Sequence, residues 1–228
     1  MRKLLWKEWN EQSWKLGFGC IVLSTLAFIG LRARIVPDET IEMYVCFLGL
    51  ALLPILSSTG LIPAEHDDGT MESLLALPVT PRCILAAKTI SGILLCAGPM
   101  IAAAAVSLAV AANREMTVAA TIMLYVRSTL TALSLFIWMH ALTVRLPTEA
   151  RAALLALGLL ILWLIASIGL VNSRVPPIVV AISPLSFIHY GIDTNLGAPS
   201  LLAALGVQLC IATVLWLWAS RSLIKGSH

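Results

Sequence analysis

The sequence predicts an all-α integral membrane protein with six transmembrane helices. Three observations predict it. Hydrophobic residues make up 59% of the chain and charged residues 12%, against roughly 45–50% and about 25% in a soluble domain, and mean hydropathy is +0.94. The apolar residues come in runs close to the roughly 20 needed to cross a bilayer as a helix. No alternating barrel pattern competes with those runs, and in hydrocarbon a helix satisfies its own backbone N–H and C=O groups.

The chain opens with Leu4, Leu5, Trp6 and Trp9 set among Lys3, Lys7, Glu8, Asn10 and Glu11. At 3.6 residues per turn these form one apolar and one charged face. Trp6, Trp9 and Trp14 favour the headgroup level, so residues 1–15 are expected as an interfacial elbow helix leading into the first span, Leu16–Leu31. That span is not a cleaved signal peptide, because the polar stretch before it is long and no clean small-residue cleavage pattern follows. The remaining spans are expected at Ile41–Ile62, Ile84–Ala111, Val118–Val144, Ala152–Val171 and Leu201–Ala219.

Between spans two and three lies the densest acidic stretch, Glu65-His66-Asp67-Asp68-Gly69-Thr70-Met71-Glu72, followed by Ser73-Leu74-Leu75-Ala76-Leu77-Pro78. Gly69 is expected to cap the start of a short helix, with Glu72 in its first turn, where the helix dipole favours an anion, and Pro78 at its stop. Met71, Leu74 and Leu75 recur at i, i+3 and i+4. On roughly two turns, too short to cross a bilayer, that stripe is expected to need a surface supplied by another protein. Between spans five and six, residues 172–200 hold Pro176, Pro177, Pro184 and Pro199 around the apolar piece Ile178–Ile182. Either broken half-helices that re-enter the membrane or a plain surface loop suits this composition.

Charge sets the orientation. With the N-terminus in the cytoplasm, Arg2, Lys3, Lys7, Lys15, Arg82, Lys88, Arg145, Arg151, Arg221 and Lys225 fall at inner ends of spans, and only Arg32, Arg34, Arg114 and Arg174 fall outside. This inward excess places both termini and the 64–80 segment in the cytoplasm, in a cell's inner (plasma) membrane. The net charge of +3 is spread over loops and gives no nucleic-acid footprint. Cys20, Cys46, Cys83, Cys96 and Cys210 show no paired spacing and imply neither disulfides nor zinc. Gly226-Ser227-His228 has the look of a tag remnant.

Few residues offer chemistry. Asp67, Asp68 and Glu72 resemble the acidic runs of metal-dependent membrane enzymes, but a hard cation wants oxygens from several segments. Beyond Glu72 only Glu115, Glu149 and Asp193 are acidic, and only Glu149 shares the inner side. No Gly-Lys pair occurs, so the phosphate cradle of an ATP-binding loop is excluded. His140 and His189 stand isolated and receive no role. Arg127 falls about ten residues into span four, where a central Arg costs about 2.5–3.5 kcal/mol unless it meets protein or water. Thr131, Ser134 and Trp138 follow it at helical spacing and extend a polar stripe expected to face the bundle interior or a pathway.

One resemblance goes further than composition. The pattern Glu65-x-x-x-Gly69-Thr70-x-Glu72-x-Leu74-Leu75-x-x-Pro78-Val79, then Arg82 and Ala87-Lys88, resembles the segment after the second span of type-2 ABC exporter permeases. The opening Met-x-x-Leu-x-x-Lys-Glu-Trp and the pair Ser183-Pro184 before the last span are similar to elements of that family. The haem-exporting permeases of cytochrome maturation carry a like motif.

The resemblance implies a single permease domain over residues 1–225. In it Glu65, Gly69, Thr70, Glu72, Leu74, Leu75 and Pro78 would form a coupling helix seated on a cytoplasmic ABC ATPase subunit. That subunit would bind ATP and Mg, leaving this chain without a cofactor, metal or catalytic residue of its own. A second permease copy, identical or related, would complete the pathway through the lipid. A non-transporting membrane scaffold and a metal-dependent membrane enzyme are the alternative readings. Cargo is open to lipids, peptides, haem and drugs alike.

Overall fold

The computed structural model describes residues 2–33, 37–71, 74, 79–111, 118–172, 176–188 and 198–225. Among these there is no strand. The helices are α1 (Arg2–Ala33), α2 (Asp38–Thr59), α3 (Ile62–Asp67), α4 (Pro81–Ala111), α5 (Val118–Thr143), α6 (Glu149–Asn172), α7 (Pro177–Ile182) and α8 (Ala198–Lys225). Six stretches are long and apolar enough to cross a membrane: Leu4–Ala33, Asp38–Asp67, Pro81–Val110, Val118–Thr143, Glu149–Gly169 and Leu202–Ser222. Each matches one expected span to within two residues at any end where it falls short. The chain is an all-α, multi-pass membrane protein.

α2 and α5 form the middle of the bundle. α5 packs on α2, α4, α6 and α8, while α1 lies along α4 and touches α2. Leu23, Ala27 and Leu31 of α1 meet Ile41, Val45 and Leu53 of α2 and Cys96, Met100 and Ala103 of α4 in one core. Small residues bring the backbones together, as in other membrane bundles. A Cβ on Gly98 would sit 2.7 Å from Leu16, and one on Gly92 would run into the Phe136 ring. The large exposed side chains, among them Phe18, Leu52, Leu154 and Leu202, suit a hydrocarbon solvent.

The expected separate elbow over residues 1–15 is not set off from the first span. α1 runs unbroken for 32 residues, roughly 48 Å at 1.5 Å per residue, well beyond the roughly 30 Å hydrocarbon core. No Gly or Pro interrupts residues 2–16, and Glu8 is buried against α4. That contact keeps the first turns in line with the span.

Past Gly60 the second span turns and continues as α3, with Pro63 in its first turn. Pro suits that position because its missing N–H has no partner there anyway. α7 is a broken piece held by protein. Gln208 Nε2 donates to the carbonyls of Ala181, Ile182 and Ser183 at 2.8, 3.2 and 2.9 Å, satisfying the open end of that short helix. Val180, Ala181, Phe187 and Ala204 close a small core around it.

Candidate functional site

The acidic stretch is built around a helix stop. Gly69 N donates to His66 O at 3.3 Å and Thr70 N to Glu65 O at 3.0 Å, while Gly69 has φ +68°. These are the two bonds and the left-handed residue of a Schellman motif closing α3. Gly69 therefore ends one helix and does not cap the start of the next. The residue that does open the following turn is Thr70, whose carbonyl accepts from Leu74 N at 3.1 Å.

Beneath this turn lies a cluster of charges. Lys88, eight residues into α4, is 1% exposed, and Glu8 of α1 is 0% exposed. The Lys88 ammonium lies 2.9 Å from Glu65 Oε1, 3.0 Å from Glu8 Oε1 and 3.2 Å from Leu61 O. Glu65 Oε1 also accepts from Lys7 Nζ at 2.9 Å, and its other oxygen accepts the Thr70 hydroxyl. Lys7 reaches Glu11 at 3.4 Å one turn along α1. The buried carboxylates of Glu8 and Glu65 thus face one buried ammonium, Lys88, and one partly exposed ammonium, Lys7, a balance of charge that burial favours.

The balance is not fully hydrogen-bonded. Glu8 Oε1 is close to Lys88 but out of hydrogen-bond alignment, and Glu8 Oε2 has no partner among the described residues. The Glu8–Lys88 attraction is therefore chiefly Coulombic. The carboxylates of Glu8, Glu11 and Glu65 converge within 4.8 Å, but Lys7 and Lys88 already supply positive charge between them. This is a different acidic group from Asp67, Asp68 and Glu72.

The cluster joins Lys7 and Glu8 of α1, Glu65 of α3, Thr70 of the turn and Lys88 of α4. Of the residues expected from sequence, Glu65, Gly69 and Thr70 are here. The expected outward stripe is corrected. Met71 and Leu74 are buried in this chain, packed with Leu4, Ile62, Ile84, Leu85, Ala141 and Ala219. A two-turn segment hides an apolar stripe wherever a partner surface exists, and α1, α4 and α8 provide one. Glu72, Leu75 and Pro78 lie outside the described residues. Among the described residues of this segment, His66, Asp67, Asp68, Gly69 and Thr70 are exposed. Asp67 Oδ2 accepts from the Glu149 backbone N–H at 3.3 Å, tying the turn to α6.

Lys88 and Glu8 stand in the two motifs that carry the resemblance, the Ala87-Lys88 pair and the opening Lys-Glu-Trp, but were given no site role there. One signal pointed to Lys88: it lies inside the apolar run Ile84–Ala111, and an ionisable group in a span needs a partner. Arg127, Thr131 and Ser134 lie on another part of α5. Thr131 and Ser134 are buried, and Thr131 donates its hydroxyl to Arg127 O at 2.9 Å. Arg127 is half-buried, and its Nε has no hydrogen-bond partner among the described residues.

Six helices long and apolar enough to cross a bilayer define a multi-pass membrane protein. The sequence model of the ABC-2 family transporter protein matches residues 17–220, and the chain belongs to that family. No curated protein matches the chain significantly.

Proposed function

We propose that the chain is the permease subunit of an ATP-driven exporter, and that the turn from Glu65 to Pro78 docks a separate cytoplasmic ABC ATPase. The partner binds ATP and Mg and carries out the hydrolysis. A second permease copy, identical or related, completes the pathway, and ATPase closure rocks the spans between inward and outward states. The protein sits in the inner (plasma) membrane with both termini in the cytoplasm. The segment between spans five and six lies on the outer side, and Arg127, Thr131 and Ser134 line the bundle interior or the pathway.

One observation carries the docking reading: the exposed turn rests on a buried charge cluster that belongs to two spanning helices. Glu65, beneath Thr70, bonds to Lys88 of α4, and Lys88 pairs with Glu8 of α1. A push on the turn therefore reaches α4 through the Lys88–Glu65 hydrogen bond, and α1 through the Lys7–Glu65 hydrogen bond and the Coulombic pull between Glu8 and Lys88. Family membership supports the transport role. The outward residues Asp67 and Asp68, with Glu72 next in sequence, favour a basic groove on the partner.

The test is copurification of an ABC ATPase with wild type, Asp68→Lys and Glu72→Lys, measured against total permease in the membrane. Either reversal is expected to cut the recovered ATPase several-fold at unchanged permease abundance. Equal recovery from all three, or no ATPase with any, removes the docking assignment and leaves the scaffold reading ahead. Leu74→Asp is unsuitable because Leu74 is buried in this chain and its loss reports folding. In the same preparations Arg127→Leu is expected to retain the ATPase and alter transport; unchanged transport at normal abundance removes the pathway role of Arg127.

A further inference from the structure

A groove of about 480 Å³ opens between α1 and α2. The two helices run antiparallel along it: Lys15 lies beside Gly60 at the end of α2, and Leu23 beside Gly49. From Trp14 to Leu23 the groove covers roughly 14 Å at 1.5 Å per residue, about half the roughly 30 Å hydrocarbon core. Phe18 and Leu52 on its rim are exposed, so in a membrane it opens to lipid.

The charge of this groove is all at one end. Lys15 and Glu149 are its charged lining residues. The Glu149 backbone N–H bonds to Asp67 just past α3, which places Glu149 at the Gly60 end, beside Lys15. Neither residue forms an ion pair among the described residues, although Lys7 and Lys88 do. Lys15 is half-buried and Glu149 exposed, so both charges are within reach of a ligand. The Lys15 ammonium lies 5.9 Å from the centre of the Trp14 ring, and indoles favour the headgroup level.

Two unpaired charges of opposite sign at the interfacial end of an apolar groove match an amphiphile that carries both signs in its own head. A phosphate suits the point charge of a lysine, and a primary ammonium brings three N–H donors to a carboxylate. A quaternary ammonium brings none, and the Trp14 ring, the aromatic seat it would use, already meets Lys15. A purely anionic head satisfies Lys15 but is repelled by Glu149. A helix of a second copy would have to set a carboxylate and a cation on one face at this depth, whereas every ethanolamine lipid carries both.

We propose that the groove between α1 and α2 binds a glycerophospholipid with an ethanolamine head, its phosphate at Lys15, its ammonium at Glu149 and its acyl chain along the apolar walls. The site is independent of the ATPase-docking reading and does not require the lipid to be cargo.

The purified full chain in detergent is mixed with equal amounts of dioleoyl phosphatidylethanolamine, phosphatidylcholine and phosphatidylglycerol, and bound lipid is read by native mass spectrometry. Wild type is expected to retain phosphatidylethanolamine several-fold over the other two. Glu149→Gln is expected to abolish the preference over phosphatidylcholine. Lys15→Gln is expected to lower retention of all three, as is Leu52→Trp, which crowds the groove. Size-exclusion profiles and unfolding midpoints show which variants are folded; if Leu52→Trp is not, Val22→Phe on the facing wall takes its place. Equal retention of the three lipids by wild type overturns the proposal, and so does a preference that survives in Glu149→Gln. Unchanged retention in a folded groove-crowding variant overturns it as well. Efficient disulfide formation between two copies carrying Leu52→Cys in native membranes, absent from the unsubstituted chain, also overturns it and identifies a second copy as the cover.

Discussion

Lys88 owes its place to two acceptors, Glu65 Oε1 and Leu61 O, and to the charge of Glu8, converging on one ammonium group inside a membrane protein. Its removal leaves Glu8 with only the more distant charge of Lys7, and Glu65 with Lys7 and Thr70. Breaking a buried ion pair from one side costs about 3–5 kcal/mol, whereas replacing the whole pair by uncharged groups is often close to neutral. Lys88→Met is therefore expected to lower the unfolding midpoint in detergent sharply, and adding Glu8→Gln to recover a substantial part of the loss. A double-mutant cycle reads the coupling, expected within about 0.5–3 kcal/mol for residues in contact. Strict additivity of the two substitutions removes Glu8 from the cluster. Sequence put Glu65 in the acidic segment and Glu8 on a charged helix face and in the opening Lys-Glu-Trp motif, without joining the two. A residue's partner on a helix far away in sequence leaves no local mark.

At the scale of elements, the seam between α4 and α5 is set by glycine. Gly92 has no room for a Cβ because the buried Phe136 ring and Leu61 occupy that space. Phe136 is fully buried and its ring faces His140, so it has little freedom to turn away. Gly92→Leu is expected to cost about 1–3 kcal/mol by overpacking, read as a lower unfolding midpoint. Gly158, with open space around it on α6, is the control: Gly158→Ala should leave the midpoint unchanged or raise it slightly. A midpoint for Gly92→Leu equal to wild type contradicts the close approach of α4 to α5. The two short helices teach a related lesson. α3 ends on the αL residue Gly69, so the glycine that composition offers as a helix start serves as a helix stop. Either role suits Gly between two helical stretches, and only the hydrogen bonds from Gly69 and Thr70 back to α3 choose between them.

For the whole molecule, the proposed topology puts Asp68 on the cytoplasmic side and Arg32, at the far end of α1, on the outer side. Both are exposed. In a Cys83→Ser background, a membrane-impermeant maleimide applied to intact cells is expected to label Arg32→Cys and spare Asp68→Cys. Inside-out vesicles should reverse the pattern. Labelling of Asp68→Cys from outside inverts the topology and removes any cytoplasmic ATPase from reach of the turn. The buried charge cluster and the exposed acidic turn also differ in their response to salt. Partner recovery through Asp68 is expected to weaken with ionic strength, while the contacts of Lys88, shielded from ions, persist.

The sequence by itself determined the class of protein, the six spans, the inward bias of basic charge and the place of the acidic segment. Each follows from the length of an apolar run or from charges counted along the chain, and neither depends on how the helices pack. Tertiary structure decided the rest. It merged the expected elbow with the first span, because Glu8 meets Lys88 across α1 and α4. It turned Met71 and Leu74 inward, because α1, α4 and α8 close over them. Among the described residues, it left the acidic pair Asp67 and Asp68 exposed. These outcomes depend on contacts such as Lys7 with Glu65, 58 residues apart, and on which of several apolar surfaces lies nearest in the folded bundle. A local pattern says that a stripe will be covered; only the packing of distant helices says by what.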